Sequence, residues 1–293
     1  MPKLMNRIVG VLFAVVTLIA VPAATAQQVG DPDYQPSIER VETDEEGPVV
    51  AVDAAHANFH QIDGRFGAFA VLAEHGGFSV RASDMAFSAD ALDDVDILVM
   101  SNALQSPTND EIDALLAWVE QGGSLLLIAD HAPFGGFAAP VAERLGIAMG
   151  DGYVVIGGRN NTSGIIDFAG LDLGSHPILH RDAERAVREV RSFLGQSLTV
   201  PEGASPLLLL PDDAVEVPDR PSIAAYASGE MDGSHVGDRV QALAMPWGEG
   251  RIVVSGEAAM LTSQLAGGRS IGVTSADNEA YVLNVLDWLA GRI

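Results

Sequence analysis

The sequence predicts a three-layer α/β domain, with a mostly parallel sheet and helices on both of its faces. Short apolar runs such as 49–54 and 124–130 are typical of parallel strands that are buried on both sides. They alternate with stretches such as 64–77 and 277–291, in which apolar residues recur at helical spacing. Because parallel strands need a crossover connection, this alternation indicates βαβ units.

The regular elements of the first half can be placed one by one. We predict strands and helices at these positions: strands 49–54, 78–82, 95–101 and 124–130, and helices 64–77, 109–121 and 137–146. Thr108 and Glu111 have the spacing of a capping box at the start of the second helix, and Gly122-Gly123 ends it.

The second half is less regular, and we expect a long insertion around 150–205. Strands are predicted at 206–211, 240–247 and 251–257, and the short glycine-containing turn between the last two predicts a hairpin. The amphipathic segment 277–291 closes the chain as a helix. We therefore expect a single domain over 48–293.

The N-terminus has the features of a secretory signal peptide over residues 1–26. Lys3 and Arg7 precede an apolar run and then a small-residue cleavage site. The run is shorter than the roughly 20 residues that span a bilayer, so we expect an exported chain, periplasmic or secreted, that leaves the membrane after cleavage. A retained anchor is the alternative. Residues 27–47 are acidic and almost free of aliphatic side chains, which predicts a flexible leader.

The composition excludes several classes of chemistry. The formal net charge of −24 repels nucleic acid and anionic membranes, so we expect neither as a partner. Cysteine is absent, which excludes disulfides, thiolate nucleophiles and cysteine-bound metals. Lys3 is the only lysine, and it would be lost with the signal peptide. We expect a small-molecule ligand or substrate, and the oligomeric state stays open.

Polar residues follow three of the predicted strands, where ligands bind in open α/β sheets. The candidate catalytic residues are Asp53, Asp130, His131 and Glu257, and the candidate metal ligands are His56, His60, Asp130 and His131. His131 would act as a base or a ligand, and Asp130 would orient it or bind the metal. The loop 132–137 would offer backbone amides to an anion before the next helix.

The four candidate ligands would suit a divalent metal such as zinc, manganese or iron. His56 and His60 would share a face if their segment formed a helical turn. The alternative is that these side chains bind loop backbone, with Asp63 capping the following helix. We expect no nucleotide cofactor, since the glycines at 150–160 lack the order and context of a dinucleotide fingerprint.

Several segments resemble exported bacterial proteins of uncharacterised function in the class I glutamine-amidotransferase-like superfamily, which includes trehalose-utilisation-type domains. The resemblance covers most of 48–291 and is strongest in "AWVEQGGSLLLIADH" (117–131) and "DNEAYVLNVLDWLAG" (277–291). It implies a flavodoxin-like sheet. It carries no function across, because that superfamily hosts enzymes and non-catalytic domains alike.

One departure from the superfamily narrows the function. Its glutamine-hydrolysing members use a cysteine at a strand-to-helix turn, and here that turn reads Ala129-Asp130-His131-Ala132, so glutaminase activity is excluded. No G-x-S-x-G frame supports a serine nucleophile. Two functions are left: an exported hydrolase, metal-assisted or not, acting on a small polar or sugar-related substrate, and a non-catalytic domain that binds such a ligand.

Overall fold

A seven-stranded mixed sheet forms the centre of the structure, a computed structural model that describes residues 29–42, 46–182, 185–266 and 269–293. The strands are β1 Val29–Gly30, β2 Val49–Asp53, β3 Ser79–Ser83, β4 Ile97–Ser101, β5 Ser124–Ile128, β6 Tyr153–Val155, β7 Ile165–Ala169, β8 Glu189–Phe193, β9 Ser205–Leu209, β10 Val215–Val217, β11 Ser234–His235, β12 Val240–Trp247, β13 Gly250–Ser255, β14 Ser263–Ala266 and β15 Arg269–Gly272. The α-helices are α1 Gly67–His75, α2 Ala89–Leu92, α3 Asn109–Glu120, α4 Phe134–Arg144, α5 Arg220–Ser228 and α6 Asn278–Leu289.

The strand order of the central sheet is β3-β2-β4-β5-β13-β12-β9. The first five strands run parallel. β12 is antiparallel to β13, and the edge strand β9 is antiparallel to β12, so that β12 alone of the seven runs in the opposite direction. This confirms an α/β fold with a mostly parallel sheet, and the antiparallel β12–β13 pair confirms the predicted hairpin. Every residue of β4 and β5 is buried, which accounts for their uninterrupted apolar sequence.

Two apolar cores lie on the two faces of the sheet. Leu126 and Ile128 of β5 belong to the core that contains α1 and α6, whereas Leu125 and Leu127 belong to the core that contains α3 and α4. Successive side chains of a strand point to opposite faces, so this division follows directly from the pleat. Helices therefore cover both faces of the sheet.

Helix starts follow local capping chemistry. At α3 the predicted capping box is present, since the Thr108 side chain accepts from the Glu111 backbone N–H and the Glu111 side chain accepts from Thr108. The expected start of α1 was wrong: residues 61–66 form turns, Phe66 precedes the helix, and no side chain caps it, so Asp63 has no capping role. Likewise α4 begins at Phe134, three residues before its predicted start.

Three smaller sheets surround the carboxyl ends of the central strands. The insertion contributes β6, which pairs with β10, and the antiparallel pair β7–β8. The third small sheet has the order β1-β14-β15. Of these elements, β7, β8, β14 and β15 supply walls of the cleft described below.

The acidic leader differs from the flexible segment expected for 27–47. Within its described part, β1 pairs with β14, and Tyr34 is buried with its hydroxyl donating to Glu279 Oε1 at 2.8 Å. Ser37 donates to the other oxygen of the same carboxylate through its backbone and its hydroxyl. Strand pairing and the contacts to Glu279 together attach this segment, although it is poor in apolar side chains.

The predicted signal peptide, residues 1–26, lies outside the described residues. Among the helices that the structure describes, none has both the length and the apolar character needed to cross a membrane.

Candidate functional site

A cleft of about 560 Å³ opens at the carboxyl ends of the parallel strands. Its walls come from the loop after β2, the ends of β4 and β5, and the small sheets above them. Its ionisable and amide lining includes His60, Arg65, Asn102, Asp130, His131 and Arg220. Two other clefts, of about 520 and 660 Å³, contain no histidine among their described lining residues, so the first is the candidate site.

His131 lies in the cleft with one ring nitrogen held and the other open. Its Nδ1 is 3.0 Å from the backbone oxygen of Ala132, so Nδ1–H donates to that carbonyl and the neutral ring carries its lone pair on Nε2. Nε2 is 4.0 Å from Asp130 Oδ1. The ring stacks on Tyr153, with a centroid distance of 4.2 Å. These contacts fix the orientation of a base whose free nitrogen faces the Asp130 carboxyl group.

Asp130 is buried at the end of β5. Burial raises the pKa of its carboxyl group, and the nearby His131 and backbone N–H donors lower it only in part. Oδ1 accepts from the backbone N–H of His131 at 2.7 Å, while the Asp130 backbone N–H donates to Asn102 Oδ1 at 2.8 Å. Asn102 thus links the ends of β4 and β5.

Glu257 lies close to Asp130 but does not line the cleft. Its side chain is fully buried and accepts from the backbone N–H groups of Ala259 and Met260 at 2.7 and 2.8 Å. Burial, together with the Asp130 carboxylate, raises its pKa well above the usual value. Glu257 therefore holds the turn after β13 through these backbone contacts, and the residue predicted as catalytic is not among the described residues that line the cleft.

Asp53 and His56 form a second cluster, away from the cleft lining. His56 Nδ1 is 2.9 Å from Asp53 Oδ2, and Nε2 is 3.2 Å from Glu111 Oε1 at the start of α3. The imidazole also packs against Phe87, at 4.4 Å between ring centroids. Burial would lower the pKa of His56, but the hydrogen bonds and charges of Asp53 and Glu111 outweigh it and raise that pKa. His56 therefore lies between two carboxylates that favour its protonated form.

His60 lines the cleft as a neutral ring. It is buried and stacks on Phe66 at 4.8 Å, and its Nδ1 is 3.5 Å from Ser101 Oγ. Burial, and secondarily the charge of Arg65, lowers the pKa of His60 to about 3. At neutral pH the ring can donate or accept a hydrogen bond, but its basicity is too low for proton abstraction.

The expected metal set does not assemble. Within the described ranges, no three His, Asp or Glu side chains are arranged to hold a metal ion. The segment from His56 to His60 is not helical, and Ala57 has a φ of 52°, so the two imidazoles do not share a helix face. Both nitrogens of His56 already face carboxylates. These residues do not fit a bound divalent metal, and no chemistry is assigned to one.

The expected anion site at 132–137 also differs from the structure. Pro133, which has no N–H, precedes the first helical residue, Phe134. The Asp151 carboxylate lies beside Gly136, within 3.5 Å of the point where a Cβ would stand, so an acidic side chain already faces the first turn of α4.

Four polar residues of the cleft were missed by the sequence analysis: Arg65, Asn102, Arg220 and Gln264. Asn102 directly follows β4 and has a φ of 49°, a conformation that asparagine tolerates better than most residues. Its position directly after a buried strand could have identified Asn102 as a cleft residue from the sequence. Arg220 and Gln264 come from distant parts of the chain, and only the fold brings them to this cleft.

A family model described as "Domain of unknown function (DUF4350)" matches residues 61–286. Comparison with curated proteins gives no match. Among solved structures, the chain is similar to the mmIFT52 N-terminal domain, at 14% identity over 82% of this chain and 97% of that one, with a TM-score of 0.61. At this identity the likeness shows the fold alone.

Two further structures are less similar. A ThuA-like protein from Bacteroides uniformis has 11% identity over 89% of this chain and 95% of that one, with a TM-score of 0.44. A cytoplasmic protein from Salmonella typhimurium has 13% identity over 83% and 98%, with a TM-score of 0.49. At these TM-scores neither likeness bears on function.

Proposed function

The chain belongs to the family described as a domain of unknown function, DUF4350, and from this premise we propose that it is an acid–base hydrolase acting on a small polar substrate bound in the cleft. The observation that carries the proposal is the pairing of His131 and Asp130 in that cleft. Residues with perturbed pKa values in a concave site are typical of catalytic groups.

The position of the cleft supports a ligand site. The order β3-β2-β4-β5-β13 corresponds to the 2-1-3-4-5 order of flavodoxin-like sheets, consistent with the proposed glutamine-amidotransferase-like superfamily. In such sheets ligands bind beyond the carboxyl ends of the strands, where the strand order reverses. Here that place lies between β2 and β4, and His60 and Asn102 follow these two strands.

His131 is assigned the role of general base. Its Nδ1–H donates to the Ala132 carbonyl, so Nε2 is free to take a proton from water as that water attacks the substrate. The bond from the substrate to its leaving group then breaks, and the imidazolium returns the proton to that group. Asp130, at 4.0 Å, would stabilise the resulting imidazolium through its carboxylate. Water is the assigned nucleophile, because no serine, threonine or tyrosine is among the described lining residues.

Export of the mature chain is part of the same proposal. It rests on the signal-peptide pattern of residues 1–26. An exported hydrolase without cysteine would work in an oxidising compartment without disulfide exchange.

A second candidate function is non-catalytic binding of a sugar or similar ligand. Two buried amide atoms favour it: Asn102 Nδ2 and Gln264 Oε1 have no hydrogen-bond partner among the described residues, and both residues line the cleft. One is a donor and the other an acceptor, which is what a hydroxyl-rich ligand needs. Such groups fix a ligand without reacting with it.

The two candidates are separated by activity measurements on the protein expressed from residue 27 without a histidine tag. The substrates are chromogenic esters, phosphomonoesters, phosphodiesters and aryl glycosides. We expect His131→Gln to lower kcat/KM about 100-fold or more, which is the usual contribution of a general base. His235→Gln is the matched control, since that exposed imidazole hydrogen-bonds the Asp212 backbone oxygen and no other described residue, and it should leave kcat/KM unchanged.

Turnover that His131→Gln does not reduce would refute the general-base assignment. If no substrate class is turned over and sugars raise the Tm of the protein, the binding function replaces the hydrolase.

A further inference from the structure

Two arginines of the cleft lack an acidic partner. Arg65 and Arg220 both line it, and neither forms an ion pair or hydrogen bond with any residue that the structure describes. Arg81, Arg144 and Arg191, by contrast, each pair with an aspartate. In a chain with a net charge of −24, two unpaired cations in one cleft need an explanation.

The two guanidinium groups flank the proposed acid–base pair. The Arg65 guanidinium lies over the Phe59 ring, 4.7 Å from its centroid. Its positive charge also lowers the pKa of the Asp130 carboxyl group, as a minor contribution beside that of burial. The charge of Arg220, the first residue of α5, reaches Tyr153, whose ring stacks on His131. A ligand that contacts His131 therefore lies in the field of both cations.

An independent observation comes from Asn102. Its side chain is only 1% exposed, and its Oδ1 accepts from the Asp130 backbone N–H, which fixes the orientation of the amide. The Nδ2 donor is then left without a partner among the described residues. A buried donor without an acceptor is costly, so a ligand acceptor that satisfies it would bind favourably.

The rim of the cleft is apolar. Phe59 is 46% exposed and packs against Phe134, and Ile165 on the facing wall is 49% exposed. Exposed large apolar side chains beside cationic groups fit a ligand with a carbon body as well as a charge.

We propose that the cleft binds small organic anions, with a carboxylate or phosphate group held by Arg65, Arg220 and the Asn102 amide, and a carbon body against Phe59 and Ile165. This rests on the proposed function, because it names the substrate class of the same site. Guanidinium groups bind both carboxylates and phosphates through paired N–H donors, and the Asn102 amide would donate one further hydrogen bond. The two arginines would attract an anion locally against the net negative charge of the chain.

The test is isothermal titration calorimetry at low ionic strength with phenyl phosphate, benzoate, glucuronate and inorganic phosphate. The neutral counterparts are benzamide and glucose. We expect at least one organic anion to bind and its neutral counterpart not to. Arg65→Gln and Arg220→Gln should each weaken binding about tenfold or more, as expected for the loss of a charged hydrogen bond.

Two further variants make the result specific. Arg81→Gln removes one positive charge from an exposed ion pair outside the cleft and should change the Kd less than about twofold. Arg65→Lys keeps the charge and should retain more affinity than Arg65→Gln. Circular dichroism of each variant checks that it is folded.

The proposal is overturned if none of the anions binds, if benzamide or glucose binds as tightly as its charged counterpart, or if Arg81→Gln weakens binding as much as the cleft variants. His131→Gln separates the two proposals, since it should keep anion binding and lose turnover. Anion binding without any turnover refutes the hydrolase proposal and supports the anion site. Turnover of neutral substrates without anion binding supports the hydrolase proposal and refutes the anion site.

Discussion

Replacing His56 with alanine tests whether the Asp53–His56–Glu111 cluster is a structural ion bridge. In the folded protein His56 is 2.9 Å from Asp53 and 3.2 Å from Glu111, and Asp53 is fully buried. Alanine removes the cation and leaves the Asp53 carboxylate with only the Ala55 backbone N–H as a donor among the described residues.

The size of the effect follows from burial. Removing one member of a buried ion pair costs about 3–5 kcal/mol, because the remaining charge stays desolvated. The loss of contact with Phe87 adds to this value. The matched control is His75→Ala, since His75 Nε2 makes a single hydrogen bond to the Ile38 carbonyl. That bond should account for about 1 kcal/mol.

The pH dependence has a definite sign. The folded-state pKa of His56 is raised above that of the unfolded chain. Its contribution to the free energy of unfolding is therefore complete below about pH 6.5 and is lost as the pH rises through the folded-state pKa. The wild-type protein should lose this stability on the alkaline side, whereas His56→Ala should lack that part of the pH dependence.

Urea denaturation measures the free energy of unfolding for the wild type and both histidine variants, at several pH values from slightly acidic to alkaline. A His56→Ala loss no larger than that of His75→Ala would contradict the buried bridge. A difference between wild type and His56→Ala that stays constant over the whole pH range would contradict the charged state of His56.

Three further predictions follow from single contacts. Thr108→Ala removes the cap of α3 and should lower the free energy of unfolding by about 1 kcal/mol in urea denaturation. Tyr34→Phe removes the hydroxyl that binds buried Glu279 and should lower the free energy of unfolding by about 1.5–3 kcal/mol. Tyr281→Phe is the control, because it loses no hydrogen bond to a described residue and should lower this free energy little. Equal losses in the two variants would show that the hydrogen bond from Tyr34 to Glu279 does not stabilise the protein. Because the pKa of Asp130 is raised in the folded state, stability should fall as the pH rises through that pKa, so Asp130→Asn should be more stable than wild type near neutral pH and show no gain near pH 3 in urea denaturation.

The strands of the central sheet were predictable because burial on both faces leaves an apolar signature. Strands β2, β4, β5 and β12 were predicted to within two residues at either end. The start of α4 was not, because Gly135 and Gly136 indicate a loop. A Cβ on Gly135 would stand 2.4 Å from the Gly150 carbonyl oxygen, so close packing, rather than a turn, requires glycine there.

Helix α5 was missed although its signals were present. Asp219 caps the helix by accepting from Ser222, and a proline stands in its first turn. Because the amphipathic pattern of this segment is weak, the spacing of its apolar residues did not indicate a helix. The short strands of the small sheets, such as β6 with three residues, lie below the length at which periodicity is informative.

The sequence placed the polar clusters at the ends of strands, but it could not show which side chains face the cleft. Asp53 ends β2 and His56 follows it, while Asp130 and His131 follow β5, so both pairs were candidates and the second was the more suggestive. Only the second pair lines the cleft. The first pair is instead held by Glu111 of α3, which contacts His56. No local sequence pattern predicts this contact.

The balance of charge in the two clusters distinguishes structure from function. Around His56, two carboxylates face one imidazole, and both ring nitrogens contact them. Around Asp130 the balance differs: burial raises the pKa of its carboxyl group, and Arg65 forms no ion pair with a described residue. Groups that destabilise the folded protein are typical of functional sites, where they interact with a bound ligand. In the two proposals, the anion that Arg65 binds is also the substrate on which His131 acts.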